Sequence, residues 1–337
     1  MISRAAGPYK LEVLVPGGEN RSRNTRERSN GNTKILIAMP ITVWMLGAFF
    51  AFIPHTLRAA AENDGRTIIP AAAKPQEPFT IDQPGSYYLG GNRHAADTAI
   101  KVLTNNVTID LNGFCLVGSE TGKTHGIFLQ GVRNVEIRNG TLMKFGDRAI
   151  AGDQHQEGVR ILNVRILDNG ACGVCLDVSG LYMKDCYVSR NKMTGICPGI
   201  CATLINNIVS GNGAAGVLAG WGCIIEGNSV FDNQHVGIYA MHNSRLENNM
   251  VMNNNLSADA GRAGIIIRAG SLVRNNVLRD NKVAGIRALE GDNVIEGNLV
   301  TYAQTEKSTA ISFNPELRND LSRNCCSTNG GPDLRKQ

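Results

Sequence analysis

The chain has 337 residues, 42% of them hydrophobic but only 5% aromatic, with 38 glycines. That balance allows a sizeable core but disfavours broad layers packed by large side chains; it favours many tight turns around a slim cross-section. The formal net charge of +5 lies wholly in residues 1–61, which hold 8 Lys/Arg and 3 Asp/Glu, while residues 62–337 hold 26 of each. The body therefore has no basic excess to attract nucleic acid.

Residues 1–34 are polar, Arg/Asn-rich and without hydrophobic period, and are expected to be a disordered basic leader. The apolar run Ile35–Pro54 follows, and Ala59 and Ala61 then occupy the small positions of an A-x-A site. A basic flank, an apolar stretch and small residues describe a signal peptide over 35–61 and an exported body. The other reading is an uncleaved membrane anchor, since roughly 20 apolar residues can span a bilayer. Residues 62–78, with their Pro and Ala, read as a linker.

From there the chain repeats itself. Gly or Ala followed by a β-branched residue recurs at Gly126, Ala149, Gly173, Gly195, Gly216, Gly237, Gly264, Gly285 and Ala310. The intervals are 23, 24, 22, 21, 21, 27, 21 and 25 residues. Asn169, Asn191, Asn212, Asn233 and Asn281 each stand four residues before such a position. Asn207, Asn228, Asn249, Asn276 and Asn298 form a second column. Short alternating runs between turn residues predict strands with one face inward. Gly and Asn every few residues penalise the rival helical solenoid. Coils stacked at ~4.8 Å would let the Asn amides bond along a file. Asn would suit the left-handed corners, and Gly would allow a sharp entry to each strand. The predicted fold is all-β, a right-handed single-stranded parallel β-helix of about ten coils over residues 79–325, with a polar tail at 326–337.

The segments FTIDQPGSYYLGGN (79–92), NVTIDLNGFCLVG (106–118) and GVRNVEIRNGTLMKFG (131–146) resemble the entry coils of exported right-handed β-helix proteins of the pectin lyase-like superfamily. The resemblance implies a carbohydrate-binding or sugar-processing protein whose substrate groove lies along one lateral face. Fold does not fix activity. Neither the D-P-H-D motif of mannuronan epimerases nor the paired Asp motifs of polygalacturonases occurs.

If the residue after each Gly points inward, the next points outward. One outward column then runs through Phe128, Cys175, Cys197, Tyr239 and Arg287; a second, two residues on, holds Asp153, Asp177 and Arg268. Asp153 and Asp177 on neighbouring coils form a candidate carboxylate pair for glycoside hydrolysis or for Ca²⁺, against the alternative of two solvated acids. Tyr239, Arg268 and Arg287 are the candidates for lyase or epimerase chemistry on a uronic acid, which needs a base and a cation beside the developing enolate. Phe128, Trp221 and His242 are candidate substrate contacts, since aromatic rings stack on sugars. The loops 119–125, 254–263 and 302–309 are expected to fold against this face.

Cys172 and Cys175 form a C-x-x-C without a second pair at zinc spacing, so no metal site is expected, and no other cofactor motif is present. Cys175 and Cys197, one coil apart, are spaced for a disulfide. Cys115, Cys186 and Cys223 are expected inside the coils. The leading expectation is an exported solenoid that binds a polysaccharide along one face, and processes it if the titratable groups converge in a groove. The alternative is a non-catalytic structural or adhesion rod of the cell envelope.

Overall fold

A computed structural model describes residues 65–258, 261–301, 309–327 and 334–336. The leader and the 35–61 segment lie outside the described residues. The described body is a parallel β-solenoid of about 11 turns with no helix. Twelve short strands stack into one lateral sheet, from Phe79–Ile81 through Ile196–Cys197 and Ile238–Ala240 to Leu334–Lys336. Two further strands per coil, such as Thr203–Ile205 and Ile208–Ser210, build the other walls. In the early coils these walls merge, because Val135–Met143 and Arg160–Leu167 run through both.

The register follows the repeat. Val217 pairs with Ile238, Ile238 with Ile265, and Ile265 with Ile286, always in parallel. On another wall Val188, Val209, Val230, Val251, Leu278 and Val300 are all fully buried one above the other. Each such side chain contributes about 1.5–3 kcal/mol by burial. One inward file per wall therefore suffices to hold a coil to its neighbours.

Buried Asn files run beside the apolar ones. Nδ2 of Asn169, Asn191, Asn212, Asn233 and Asn254 donates to Oδ1 of the Asn one coil on, at 2.8–3.0 Å. A second file joins Asn207, Asn228, Asn249, Asn276, Asn298 and Asn324 at 2.9–3.1 Å. Asn254 belongs to the first file although it stands ten residues before Gly264, because the insert of that coil lies between them.

Two expected reasons for the repeat residues are corrected. The left-handed corner is made by the residue before each ladder Asn: Asp168, Arg190, Gly211, Asp232, Asn253 and Asp280 have φ between 49° and 63°. The ladder Asn itself supplies the buried bonds. Nor do the glycines before the strands of the lateral sheet turn the chain. A Cβ on Gly216 would sit 2.6 Å from the Gly237 carbonyl oxygen and 2.9 Å from the Asn233 amide, so the coils approach too closely for any side chain.

The solenoid also extends past its expected ends. Thr67–Ile69 and Ala72–Gln76, in the span read as a linker, pair with Gly85–Leu89 and Arg93–Ala95, and Ile69 and Ala72 are buried. At the other end Cys325–Ser327 and Leu334–Lys336, mostly in the expected polar tail, still add to the sheets.

Candidate functional site

The first outward column falls where the alternation puts it. Phe128, Ala151, Cys175 and Cys197 are successive register partners, as are Leu218, Tyr239, Ile266, Arg287 and Ser312. The insert before Gly264 folds back on this face. Asn255 N–H donates to the His235 carbonyl and Ser257 N–H to that of Gln234. This closes a small outer core of Ala215, Val236, Ala263, Ile266 and Ala284 against Tyr239. Beside it opens a cavity of about 390 Å³, lined by Leu218, Tyr239, His235 and Arg262 among others. Leu218 is 42% exposed.

The predicted carboxylate pair is not held side by side. Asp153 and Asp177 are both exposed, and their strands part company before reaching them: the ladder ends at Ala151–Cys175, and Gln156, not Asp153, takes up the pairing beside Asp177. No third carboxylate joins them in a metal-sized group among the described residues. Tyr239 and Arg287 are separated by the coil of Ile266. Phe128 offers less ring than expected, since His125 stacks on it at 5.4 Å. Burial pushes the His125 imidazole down, against the opposing charge of Asp147.

What converges is a different set. Glu290 holds His242 Nε2 at 2.8 Å with one carboxylate oxygen and Arg268 Nε at 2.8 Å with the other. The Ala269 N–H donates at 3.3 Å to the same oxygen that holds His242. Partial desolvation, the largest single influence, pushes the Glu290 carboxyl up; the Ala269 N–H, Arg268 and His242 together outweigh it and leave it below the ordinary value. The Trp221 ring meets His242 edge-on at 5.3 Å and is itself 57% exposed. His242 Nδ1 is buried without a partner, so neither imidazole nitrogen faces outward as a base. The network ties His242, Arg268 and Glu290 into one fixed corner beside Trp221.

Glu290 was not among the predicted residues, yet the repeat contains it. Trp221, His242, Ala269 and Glu290 are spaced by 21, 27 and 21 residues, the intervals of their own coils. This column lies one position beyond Met241 and Leu289 in the second outward column. Ala269 is small, so Glu290 can reach past it.

The cysteines also depart from expectation. All nine are free. Cys186 and Cys223 are buried as expected, whereas Cys115 is only half-buried. Cys172, Cys175 and Cys197 bring their sulfurs within 4.8 Å of one another. Donation from the Cys172 and Cys197 thiols, with Arg148 nearby, holds Cys175 down to about 3 despite burial. Cys172 and Cys197 are raised, chiefly because each is kept as a hydrogen-bonded thiol within the trio. Three sulfurs thus converge although the sequence holds no second C-x-x-C. The third sulfur comes from the next coil.

The lateral-sheet architecture recurs in solved structures. The A-module of the Azotobacter vinelandii mannuronan C-5 epimerase AlgE4 is 17% identical over 81% of this chain and 86% of its own, with a TM-score of 0.56. That of AlgE6 from the same organism is 15% identical over 81% and 88%, with a TM-score of 0.54. The Streptococcus pneumoniae surface protein and adhesin PfbA is 10% identical over 80% and 92%, with a TM-score of 0.52. At such identities the likeness is one of fold. Among curated proteins none matches this chain. The family described as the right handed beta helix region matches residues 92–224 and 148–301. By that match, which spans more than half of its length, the chain belongs to the right-handed β-helix family.

Proposed function

We propose that the protein is a polysaccharide-binding solenoid that uses the lateral face between Leu218 and Glu290 and does no chemistry there. The observation that carries this reading is the exposed Trp221 ring on the same coil as Leu218, which lines the cavity with Tyr239. Aromatic and aliphatic surface suits the C–H face of a sugar ring. Arg262 and Arg287 on the same face favour a glycan bearing carboxylates. The parting of the Asp153 and Asp177 strands and the hold of Glu290 on His242 support binding over catalysis. Ca²⁺ at Asp153 and Asp177 would have two exposed carboxylates and no further acid. The solved relatives named for mannuronan and for adhesion share the architecture and are compatible with a glycan-facing role outside the cytoplasm.

The test is a panel of polymannuronate, polygalacturonate and neutral dextran, assayed for retention of the protein and for new reducing ends or unsaturated uronate. Retention on the uronates with no product is the expected result. Turnover of any of them would replace the reading with an enzymatic one. Lack of retention on all of them would favour a structural rod.

A further inference from the structure

Three thiols converge on the lateral face beside the proposed glycan surface, Cys197 lying one coil from Leu218. Cys175 and Cys197 are register partners on adjacent parallel strands. Cys172 sits at the corner before Gly173, in the position held by Arg148 one coil earlier and Thr194 one coil later. Gly173 brings the coils together: a Cβ there would lie 2.7 Å from the Gly195 carbonyl oxygen. The three sulfurs lie within 4.8 Å of one another; Cys172 is buried and the other two half-buried. Such a group is open enough for an ion to enter and sheltered enough to retain it.

We propose that Cys172, Cys175 and Cys197 form a three-thiolate site for a soft metal ion, with copper(I) as its occupant. Thiolate sulfur selects soft ions such as copper(I) and zinc(II) over hard ones. A structural zinc site takes four protein ligands. Among the described residues, no fourth Cys, His, Asp or Glu joins this group. Copper(I) is satisfied by three thiolates in a plane. With metal–sulfur bonds of about 2.3 Å, planar coordination sets the sulfurs about 4.0 Å apart. The trio can reach that spacing by side-chain rotation. Uptake releases the protons still held by the thiols, leaving a complex of net charge −2 beside the Arg148 guanidinium.

The full chain, reduced and kept anaerobic, is titrated with copper(I) against the chromophoric chelator bathocuproine disulfonate. One copper(I) per chain is expected, with X-ray absorption reporting three sulfur neighbours. C172S, C175S and C197S should each weaken retention at least 100-fold, whereas C201S, at an exposed cysteine outside the trio, should not change it. Copper(I) should also shield these three thiols, and not Cys201, from iodoacetamide in the unaltered chain, a readout that needs no variant to fold. Equal copper uptake by the unaltered chain and the C172S/C175S/C197S variant would overturn the proposal. So would retention of zinc(II) in preference to copper(I), or a sulfur count of two.

Discussion

Glu290 and His242 are 48 residues apart in sequence, yet a carboxylate oxygen of one lies 2.8 Å from Nε2 of the other. Two turns of the solenoid separate them, and the small Ala269 of the intervening turn leaves the path clear. The same carboxylate holds Arg268, so three successive coils are tied at one corner beside the exposed Trp221.

That tie has a pH signature. The Glu290 carboxyl is held below its ordinary value, so its stabilising contribution is complete above about pH 4.3, the usual Glu value, and is lost as pH falls through its lower folded value. Replacement by Gln removes the charge. Thermal melts should show Glu290→Gln below the unaltered protein at pH 7, with the gap closing towards pH 3. Because the side chains are partly exposed, the gap at pH 7 should correspond to about 1 kcal/mol or less. A gap that widens on acidification would contradict the assignment.

The Asn file predicts a much larger effect at Asn212. Its Oδ1 accepts from both the N–H and the Nδ2 of Asn191, and its own Nδ2 donates to Asn233 Oδ1 at 2.9 Å. Asn212→Ala leaves these buried partners unsatisfied, at a cost of about 3 kcal/mol. Urea unfolding should show the midpoint falling with little change in the slope. A loss below about 0.5 kcal/mol would mean that the file contributes little.

Two glycines separate crowding from backbone strain. Gly216 has no positive φ, but a Cβ there meets the next coil, so Gly216→Ala should cost about 3 kcal/mol or prevent folding. Gly113 has φ +79° with nothing within 4 Å, so Gly113→Ala should cost only about 1 kcal/mol of strain. Comparing the two melts decides whether close approach of coils, and not turn geometry, is what the repeat glycine serves.

The proposed glycan surface should respond to loss of its rings. Trp221→Ala and Tyr239→Ala should each weaken uronate binding about tenfold, the equivalent of 1.4 kcal/mol. Asp153→Asn should leave binding unchanged. Equal effects from all three would detach the reading from this part of the face.

The sequence exposed the fold because repeat intervals such as the 21 residues from Gly195 to Gly216 and on to Gly237 place like residues on like positions. Inward and outward alternation then located Tyr239, Ile266 and Arg287 in one file. What it concealed depended on loop length or on distances across coils. The insert before Gly264 hid Asn254 from its own file. Pro75 and the alanines made 67–76 look like a linker, although Ile69 and Ala72 bury like any coil residue. The candidate acids Asp153 and Asp177 had the correct spacing, but the pairing breaks before them. Glu290 stood one position outside the columns considered. The Cys172, Cys175 and Cys197 group required knowing how closely Gly173 lets two coils approach.

All of these assignments depend on residues one lap apart being vertical neighbours. Ile208 and Leu299 are exposed members of one file, joined by steps through Ser229, Met250 and Val277. Spin labels attached through ketone-bearing residues at these two positions leave the native cysteines untouched. Four steps of ~4.8 Å place the two backbone sites about 19 Å apart, although 90 residues of chain lie between them. A pulsed dipolar distribution narrow around that separation, broadened only by the label arms, is the predicted result; one centred beyond about 35 Å, or spread without a maximum, would contradict the stacked winding.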